Sequence, residues 1–204
     1  MHKVIFDTDP GIDDAMALLF LHRHPDVDLI GITTVFGNAP IELTTRNALF
    51  LKAEWGILAP VARGAGTTFD PARPEGHWPV FIHGAGLPRP DDRPAWKFIV
   101  DSVRAQPGEV TLVAVGRMTN LALALKADPD FAALVKEVII MGGAFNGNGN
   151  VSPAAEANIH GDPEAADLVF TAPWRVTVIG LDVTLQTVMT SGYLAEMAAV
   201  GGKP

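Results

Sequence analysis

The 204-residue sequence has no cysteine and no basic run. Without cysteine, the chain can form neither a disulfide framework nor a thiolate metal site. Lys and Arg together number 15, against 23 Asp and Glu, which gives a net charge of -8. Because proteins bind nucleic-acid phosphates through clustered Lys and Arg, this composition argues against nucleic acid as a partner.

Long hydrophobic runs are also missing. The apolar stretch before the first acidic side chain covers only residues 4–6. A stretch of three residues is too short for the hydrophobic core of a signal peptide. The longest helical apolar stretch, AMALLFL at 15–21, is too short to span a bilayer. We therefore expect a cytoplasmic protein with no membrane segment. A hydrophobic share of 48% with 19% charged residues indicates a compact globular chain.

Apolar β-branched segments alternate with segments of helical period along the chain. Strands are predicted at 4–6, 28–35, near 61, 109–116, 137–143 and 175–183, and helices at 14–22, 41–54, 96–104, 120–127, 162–171 and from 191. This alternation predicts an α/β fold: an open, mainly parallel sheet with helices on both faces. No linker divides the chain, so we expect a single α/β domain over 1–204. The Gly- and Pro-rich segment 64–93 is longer than ordinary connections, and such loops are often functional.

Open parallel sheets bind ligands beyond the carboxyl ends of their strands. Polar residues follow most of the predicted strands at this edge. They are Asp7 and Asp9 after the first strand, Asn38 after the second, residues 116–120 and 141–150 after the next two long strands, and Asp182 and Thr184 at the end of the last. The accumulation predicts a binding site along this edge of the sheet.

The stretch VIFDTDPGIDDAMALLF, residues 4–20, places four aspartates at one strand-to-helix junction. An acid at the start of a helix is favoured by the helix dipole, which would explain either Asp13 or Asp14 as a cap. It does not explain four acids together. Carboxylate oxygens are the ligands that Ca²⁺ and Mg²⁺ prefer, so the cluster predicts a divalent cation, although the spacing is not that of an EF-hand.

The motifs around this cluster resemble those of the inosine-uridine-preferring nucleoside hydrolases. The matching segments are DTDPGIDDAMAL at 7–18, VFGN at 35–38, VGRMTNLALAL at 115–125, IIMGGAF at 139–145, GNVSPAAEANIHGDPEAA at 149–166 and LDVT at 181–184. The similarity runs along essentially the whole chain and is weakest between 64 and 93. It implies the Rossmann-like fold of these enzymes, a homodimer or homotetramer, and hydrolysis of ribonucleosides to ribose and free base.

The resemblance also implies roles for individual residues. Asp9, Asp14 and the backbone carbonyl of Thr119 would bind Ca²⁺, Asp9 would act as general base toward the Ca²⁺-bound water, and Asp7 would orient the ligands from behind. The residues implied in nucleoside binding are Asp13, Asn38, His83, Met141, Asn150, Glu156 and Asn158. Such a site suits the chemistry, because cleavage of a ribosyl bond passes through a cationic, oxocarbenium-like state.

Several of these residues have simpler explanations when each is taken alone. Asn150 suits a left-handed turn in the segment NGNGN, and Met141 suits a hydrophobic core. Glu156 and Asn158 suit an ordinary polar surface. Their joint occurrence in the order of the family motifs favours the binding roles.

The chain departs from the family in its length. Members are usually longer, and their C-terminal part carries a His-Asp pair in which Asp binds the metal and His often protonates the leaving base. We therefore expect the domain to lack the C-terminal portion of the family fold. Two alternatives follow: the chain is a piece of an enzyme of normal length, or it is a short protein with an incomplete metal site. The end of the sequence near the start of a predicted helix favours the first. Leu185 stands where many members have His, which points to another subgroup or base preference.

Two other functions compete with nucleoside hydrolysis. One is a catalytically impaired protein that binds a nucleoside or ribose without cleaving it. The other is a phosphatase of the haloacid-dehalogenase type, with Asp7 as nucleophile and Asp9 as acid and base. Pro10 and Gly11 in place of the usual small polar pair, and two further acids that would repel phosphate, argue against the phosphatase.

Overall fold

Six parallel strands form one open sheet in the computed structural model, which describes residues 1–70 and 86–200. The strands are β1 (His2–Thr8), β2 (Val27–Thr34), β3 (Val61–Arg63), β4 (Val110–Ala114), β5 (Glu137–Met141) and β6 (Val176–Ile179). The helices are α1 (Ile12–Arg23), α2 (Ile41–Trp55), α3 (Ala95–Ala105), α4 (Thr119–Ala127), α5 (Ala157–Gly161), α6 (Pro163–Thr171), α7 (Leu181–Thr184) and α8 (Ser191–Val200), and a 3-10 helix covers Pro129–Leu134. The predicted α/β fold with a parallel sheet is confirmed.

The strands lie in the order β3-β2-β1-β4-β5-β6. The chain starts at β1 in the middle, builds outward to β3, and then returns to place β4 on the other side of β1. The carboxyl ends of β1 and β4 therefore flank the point at which the winding direction reverses. In sheets of this kind, the connections leave that crevice on opposite faces and open it to ligands.

The period of two along β1 directs its neighbouring side chains to opposite faces of the sheet. Ile5 packs in a core with residues of α3, α4 and α6, whereas Phe6 packs in a core with residues of α1 and α2. Both side chains are almost completely buried. Because helices cover both faces, the central strands are nearly continuous apolar runs, and polar side chains first occur where those runs end.

The strand predicted at 175–183 is wrong in its second half. β6 ends at Ile179, and residues 181–184 form the short helix α7, which is closed by a hydrogen bond from the Leu185 amide to the Leu181 carbonyl. Asp182 and Thr184 therefore lie in a helical turn and not at the end of a strand. A short apolar run has no period that distinguishes strand from helix, and the break comes at Gly180. The prediction also missed α5 and the 3-10 helix, both of which are short.

Within residues 1–70 and 86–200, none of the helices combines the length and apolar character that crossing a bilayer requires. Part of the long segment 64–93 lies outside the described residues. Its later part returns to the sheet edge, where Asp91 forms a parallel bridge with Ala62 next to Arg63 at the end of β3.

Gly31 in β2 marks a place where the sheet approaches a helix closely. The pairing of β1 with β2 skips Ile30 at this point, and a Cβ atom at Gly31 would lie 2.3 Å from Cε1 of Phe98 in α3. The Phe98 ring is 2% exposed and has little room to move away. Glycine is therefore the residue that this contact admits.

We expect Gly31→Ala to lower the free energy of unfolding by about 1–3 kcal/mol, because the added methyl group overpacks a buried contact. Urea denaturation measures the change. Gly147→Ala is the matched control, since a Cβ atom there meets nothing within 4 Å, and its effect should stay within about 0.5 kcal/mol. Equal effects of the two substitutions would contradict the close approach.

Candidate active site

Asp9 lies directly after β1, at the reversal point of the sheet. Its carboxylate is 4% exposed, and its Oδ2 accepts a hydrogen bond of 2.6 Å from the backbone N–H of Asn38. The Asn38 side chain returns the contact, because its Nδ2 donates to the Asp9 carbonyl at 3.0 Å. Asp9 and Asn38, which the sequence placed after neighbouring strands, are thus in direct contact.

Two glycines enclose the Asp9 carboxylate. A Cβ atom at Gly37 would lie 2.1 Å from Asp9 Oδ2, and one at Gly116 would lie 2.8 Å from Asp9 Oδ1. Neither glycine was singled out from the sequence, although each follows a buried strand, where an isolated glycine indicates close approach of backbone. The Asp9 side chain is therefore held between the β2–α2 and β4–α4 connections.

Asp14 is the second buried acid of the cluster. Its Oδ1 accepts a hydrogen bond of 2.6 Å from Thr8 Oγ1, and its Oδ2 accepts one of 3.0 Å from the Gly11 amide. Asn38 Nδ2 also reaches Asp14 Oδ2, at 3.4 Å, and so links Asp14 to Asp9. Asp14 caps the first turn of α1, and its carboxylate also lies in the site next to Asp9. It can therefore serve both as a helix cap and as a ligand for a cation. Asp13, its neighbour, is exposed.

Asp7 lies behind this pair inside the sheet and is 1% exposed. Its Oδ1 accepts hydrogen bonds from Thr33 Oγ1 and from Asn120 Nδ2, the latter at 2.7 Å. Asn120 also donates to the Thr34 carbonyl at 2.9 Å and accepts from the Ala65 amide at 2.9 Å. Asn120, fully buried in α4, was not predicted individually, yet it joins β1, β2 and the segment after β3.

The three buried acids have raised pKa values. Burial raises the pKa of Asp7 from 3.8 to about 7, although the hydrogen bonds from Thr33 and Asn120 lower it. Burial, and then the charge of Asp14, raise the pKa of Asp9 well above its ordinary value. Burial likewise raises the pKa of Asp14, against the hydrogen bonds from Thr8 and Gly11. The ionised cluster is costly without a cation nearby.

The oxygen atoms of Asp9 and Asp14 are suitable ligands for a hard divalent cation. They are only two carboxylates, and residues 1–70 and 86–200 contain no group of three acidic or histidine side chains placed to hold a metal. Thr119, the third predicted ligand, is 1% exposed and begins α4 beyond the Gly116 contact. The described donors thus fit part of a metal site, which other oxygen atoms would have to complete.

The Thr119 side chain binds a residue that the sequence reasoning missed. Its Oγ1 donates a hydrogen bond of 2.6 Å to Oδ2 of Asp162, which is fully buried. Asp162 also accepts from the amides of Phe69 at 2.7 Å and Ala165 at 3.3 Å. The Asp-Pro pair at the start of α6 identifies Asp162 as a helix cap, but only the fold shows that the same carboxylate positions Thr119.

Glu156 and Asn158 lie after β5, where the sequence placed them. Glu156 is 2% exposed, and its carboxylate accepts from the amides of Asn158, Ile159 and Gly143 at 2.9–3.2 Å. The surface explanation of Glu156 is therefore wrong. Asn158 Nδ2 donates to the Val115 carbonyl at 2.9 Å and the Met141 carbonyl at 3.1 Å, so it joins the ends of β4 and β5.

Met141 and Asn150 are less tightly held than Glu156 and Asn158. Met141 is partly exposed at the end of β5, and its Sδ lies 3.4 Å from Asn158 Nδ2. Asn150 is exposed, and its Oδ1 accepts from the Ala157 amide at 3.0 Å. His83 lies outside the described residues. Their contacts with a substrate stay predictions.

Comparison with known proteins matches the chain to a family. The family model of the inosine-uridine preferring nucleoside hydrolases covers residues 4–204. The chain belongs to this family. A probable uridine nucleosidase 1 of Oryza sativa subsp. japonica is 46% identical over 98% of the chain and 65% of the relative. The chain thus spans less than two thirds of that relative's length.

Solved structures of nucleoside hydrolases share the fold. The plant nucleoside hydrolase PpNRh1 superposes with a TM-score of 0.88 at 42% identity, over 97% of this chain and 65% of that one. A purine-preferring ribonucleoside hydrolase from Gardnerella vaginalis superposes with a TM-score of 0.86 at 34% identity, over 97% and 66%. The chain is thus similar both to a relative named for uridine and to a solved structure named as purine-preferring.

We expect Thr119→Val to lower the free energy of unfolding by about 1.5–3 kcal/mol, because the buried Asp162 carboxylate loses a hydrogen bond while the shape of the side chain is kept. Denaturant titration measures the loss. Thr119→Ser is the control, since it keeps the hydroxyl and removes one methyl group, worth about 0.8 kcal/mol. A valine variant no less stable than the serine variant would contradict the role of this hydroxyl.

The raised pKa values also predict the pH dependence of the metal-free protein. Between its unfolded pKa of 3.8 and its folded pKa of about 7, Asp7 keeps its proton in the folded state and loses it on unfolding. The folded state then binds more protons, so stability falls as pH rises, and Asp9 and Asp14 act in the same direction. In the presence of a chelator, we expect Tm to fall between pH 5 and pH 8, and to fall less for Asp7→Asn. A Tm that rises over this interval would contradict the assignment.

Proposed function

We propose that this protein hydrolyses the N-glycosidic bond of ribonucleosides, releasing ribose and free base, with uridine among its substrates. The observation that carries the proposal is the buried Asp9–Asp14 pair, joined by Asn38 at the reversal point of the sheet. The choice of uridine is supported by the relative named as a probable uridine nucleosidase, which is 46% identical, against 34% for the purine-preferring hydrolase.

We propose Ca²⁺ as the cofactor, held by Asp9, Asp14 and the backbone carbonyl of Thr119, with further oxygen ligands completing the shell. A bound divalent cation supplies Lewis acidity, which lowers the pKa of a water that it holds and fixes that water in place. Its charge would also favour the anionic forms of the two neighbouring buried carboxylates, Asp9 and Asp14, and so reduce the cost of ionising them. The raised pKa values of Asp9 and Asp14 support this assignment.

Asp9 would act as the general base. Its two oxygen atoms are fixed by the Asn38 amide and by contact with Gly37 and Gly116, so the carboxylate is preorganised to accept a proton from the attacking water. Asp7 supports it from within the sheet. The negative charge of Asp9 and Asp14 also favours the positive charge that develops on the ribosyl ring during cleavage.

The ribose would be bound by polar groups along the same edge of the sheet. We propose Asp13, Asn38, Met141, Asn150, Glu156 and Asn158 for this role, and His83 for a contact in the nucleoside pocket. Glu156 is fixed by three backbone amides, and Asn158 by two carbonyls, which preorganises both side chains and reduces the entropy lost on binding. Exposed Asp13 and Asn150 remain accessible to ribose hydroxyl groups.

The phosphatase hypothesis finds no support in the geometry. A nucleophilic aspartate must reach the phosphorus atom, but Asp7 is 1% exposed, and its Oδ1 is occupied by two hydrogen bonds. Asp9 and Asp14 would also repel a phosphate monoester. A protein that binds nucleosides without cleaving them remains the second candidate, because the same residues would hold ribose in either case.

We expect Asp9→Ala to abolish Ca²⁺ binding and to lower the rate of uridine hydrolysis by about 10²- to 10⁴-fold or more, because one carboxylate serves both the cation and the proton transfer. Isothermal calorimetry measures Ca²⁺ binding, and a reducing-sugar assay measures hydrolysis. Asp167→Ala, at an exposed position of α6, is the matched control and should change neither.

The outcome of the same assay distinguishes the two candidates. Release of reducing sugar from uridine that stops on addition of a chelator supports the metal-dependent hydrolase. Heat of nucleoside binding without any release of sugar in the presence of Ca²⁺ would favour the binding protein. Full activity of the Asp9→Ala variant would overturn the assignment of this site.

A further inference from the structure

Asn47 is a buried side chain of α2 that contacts the turn between β1 and α1. It is 1% exposed, and its Nδ2 donates a hydrogen bond of 3.0 Å to the carbonyl of Pro10. Pro10 is buried and has no N–H, so this carbonyl is its only backbone group that can form a hydrogen bond. The contact therefore fixes the turn to α2, across 37 positions of the chain.

A hydrogen bond holds this turn at each of its three residues. The carbonyl of Asp9 accepts from Asn38 Nδ2 at 3.0 Å, as the carbonyl of Pro10 accepts from α2. The amide of Gly11 donates to Asp14 Oδ2, also at 3.0 Å. The turn begins at Asp9 and leads into the first turn of α1, which carries Asp14. Its shape therefore sets the spacing of the two carboxylates.

The amide group of Asn47 uses only part of its hydrogen-bonding capacity. Its Oδ1 is buried and accepts no hydrogen bond from residues 1–70 and 86–200. A buried polar atom without a partner costs free energy, so an apolar side chain would serve the packing of α2 better. A carbonyl can only accept, so the contact with Pro10 requires a donor at this position. This contact, and not packing, explains the asparagine.

We propose that Asn47 is a positioning residue of the candidate active site, which holds the Pro10 carbonyl and so keeps Asp9 and Asp14 at the spacing that lets both bind one cation. The inference rests on the proposed function, because it concerns the divalent cation that these carboxylates would hold. Asn47 acts through the backbone of the turn. Residues that orient the ligands of a metal in this way contribute to its affinity without touching it.

A merely structural role predicts a different result. If Asn47 served only to join α2 to the sheet, its loss would lower the stability and leave the affinity for a cation unchanged. Thr44, in the same helix, provides the comparison. It is 0% exposed, and its Oγ1 donates to the carbonyl of Ile41 at 3.2 Å, within α2 itself. Thr44→Val therefore removes a buried hydrogen bond of this helix that does not involve the turn.

The test compares the wild-type protein with Asn47→Leu and Thr44→Val, using calorimetric titration of Ca²⁺ and the Tm in the presence of a chelator. Asn47→Leu keeps a branched side chain and removes the amide donor. We expect its Kd for Ca²⁺ to rise about 10-fold or more, because the two carboxylates lose their fixed spacing. The Kd of Thr44→Val should stay within about twofold of wild type, even where its Tm falls.

If the leucine variant does not fold, Asn47→Ala removes the same donor without overpacking, and the same rise in Kd is expected. A leucine or alanine variant whose Kd stays within about twofold of wild type would overturn the role of Asn47 and leave the proposed hydrolase untouched. An equal rise in the Kd of Thr44→Val would also overturn it, because the effect would then come from a general loosening of α2. A wild-type protein that binds no Ca²⁺ would overturn both proposals.

Discussion

The contact of the Asp9 carboxylate with backbone on both sides is the constraint on which the rest of the site depends. Gly37 and Gly116 approach its two oxygen atoms so closely that no side chain can replace either glycine without displacing Asp9. This contact requires β2 and β4 to be the neighbours of β1, because each glycine lies just beyond the end of one of them. The acidic site can therefore form only with this strand order.

Burial of several carboxylates opposes folding, and the hydrogen bonds that these carboxylates accept offset part of the cost. The donors are Thr8 in β1, Thr33 in β2, Asn38 in the β2–α2 connection and Asn120 in α4. Burial raises the pKa values of these acids more than the hydrogen bonds lower them, since all three acids have raised pKa values. Such a cluster is expected of a functional site rather than a stabilising one, since apolar residues would pack there at lower cost.

Two further buried acids support this site from the other half of the sheet. Asp162 receives donors from α6, from Thr119 and from the segment after β3, and Glu156 receives the amides of Asn158 and Ile159 in α5 and of Gly143 after β5. Each acid caps a helix and at the same time fixes the end of a neighbouring element. The positions of Thr119 and Asn158, which belong to the proposed site, therefore depend on helix capping as much as on the sheet.

The local sequence pattern was sufficient to predict the type of sheet and several residues of the candidate site. The alternation of apolar strands with helices predicted the parallel sheet, and the residues after the strands identified Asp7, Asp9 and Asn38, because the carboxyl ends of parallel strands meet at one edge. The motifs around them identified the family. Where pattern was weak, the prediction failed: residues 181–184 are helical, and α5 is too short to show a period.

The tertiary structure alone decided how these residues are held. The enclosure of Asp9 by Gly37 and Gly116 and the link from Asp162 to Thr119 join residues that are far apart in the chain. A sequence gives the chemical type of each side chain and its place along an element. Burial, charge and distance arise from the packing of one element against another, and these quantities set the pKa values and the strength of a metal site.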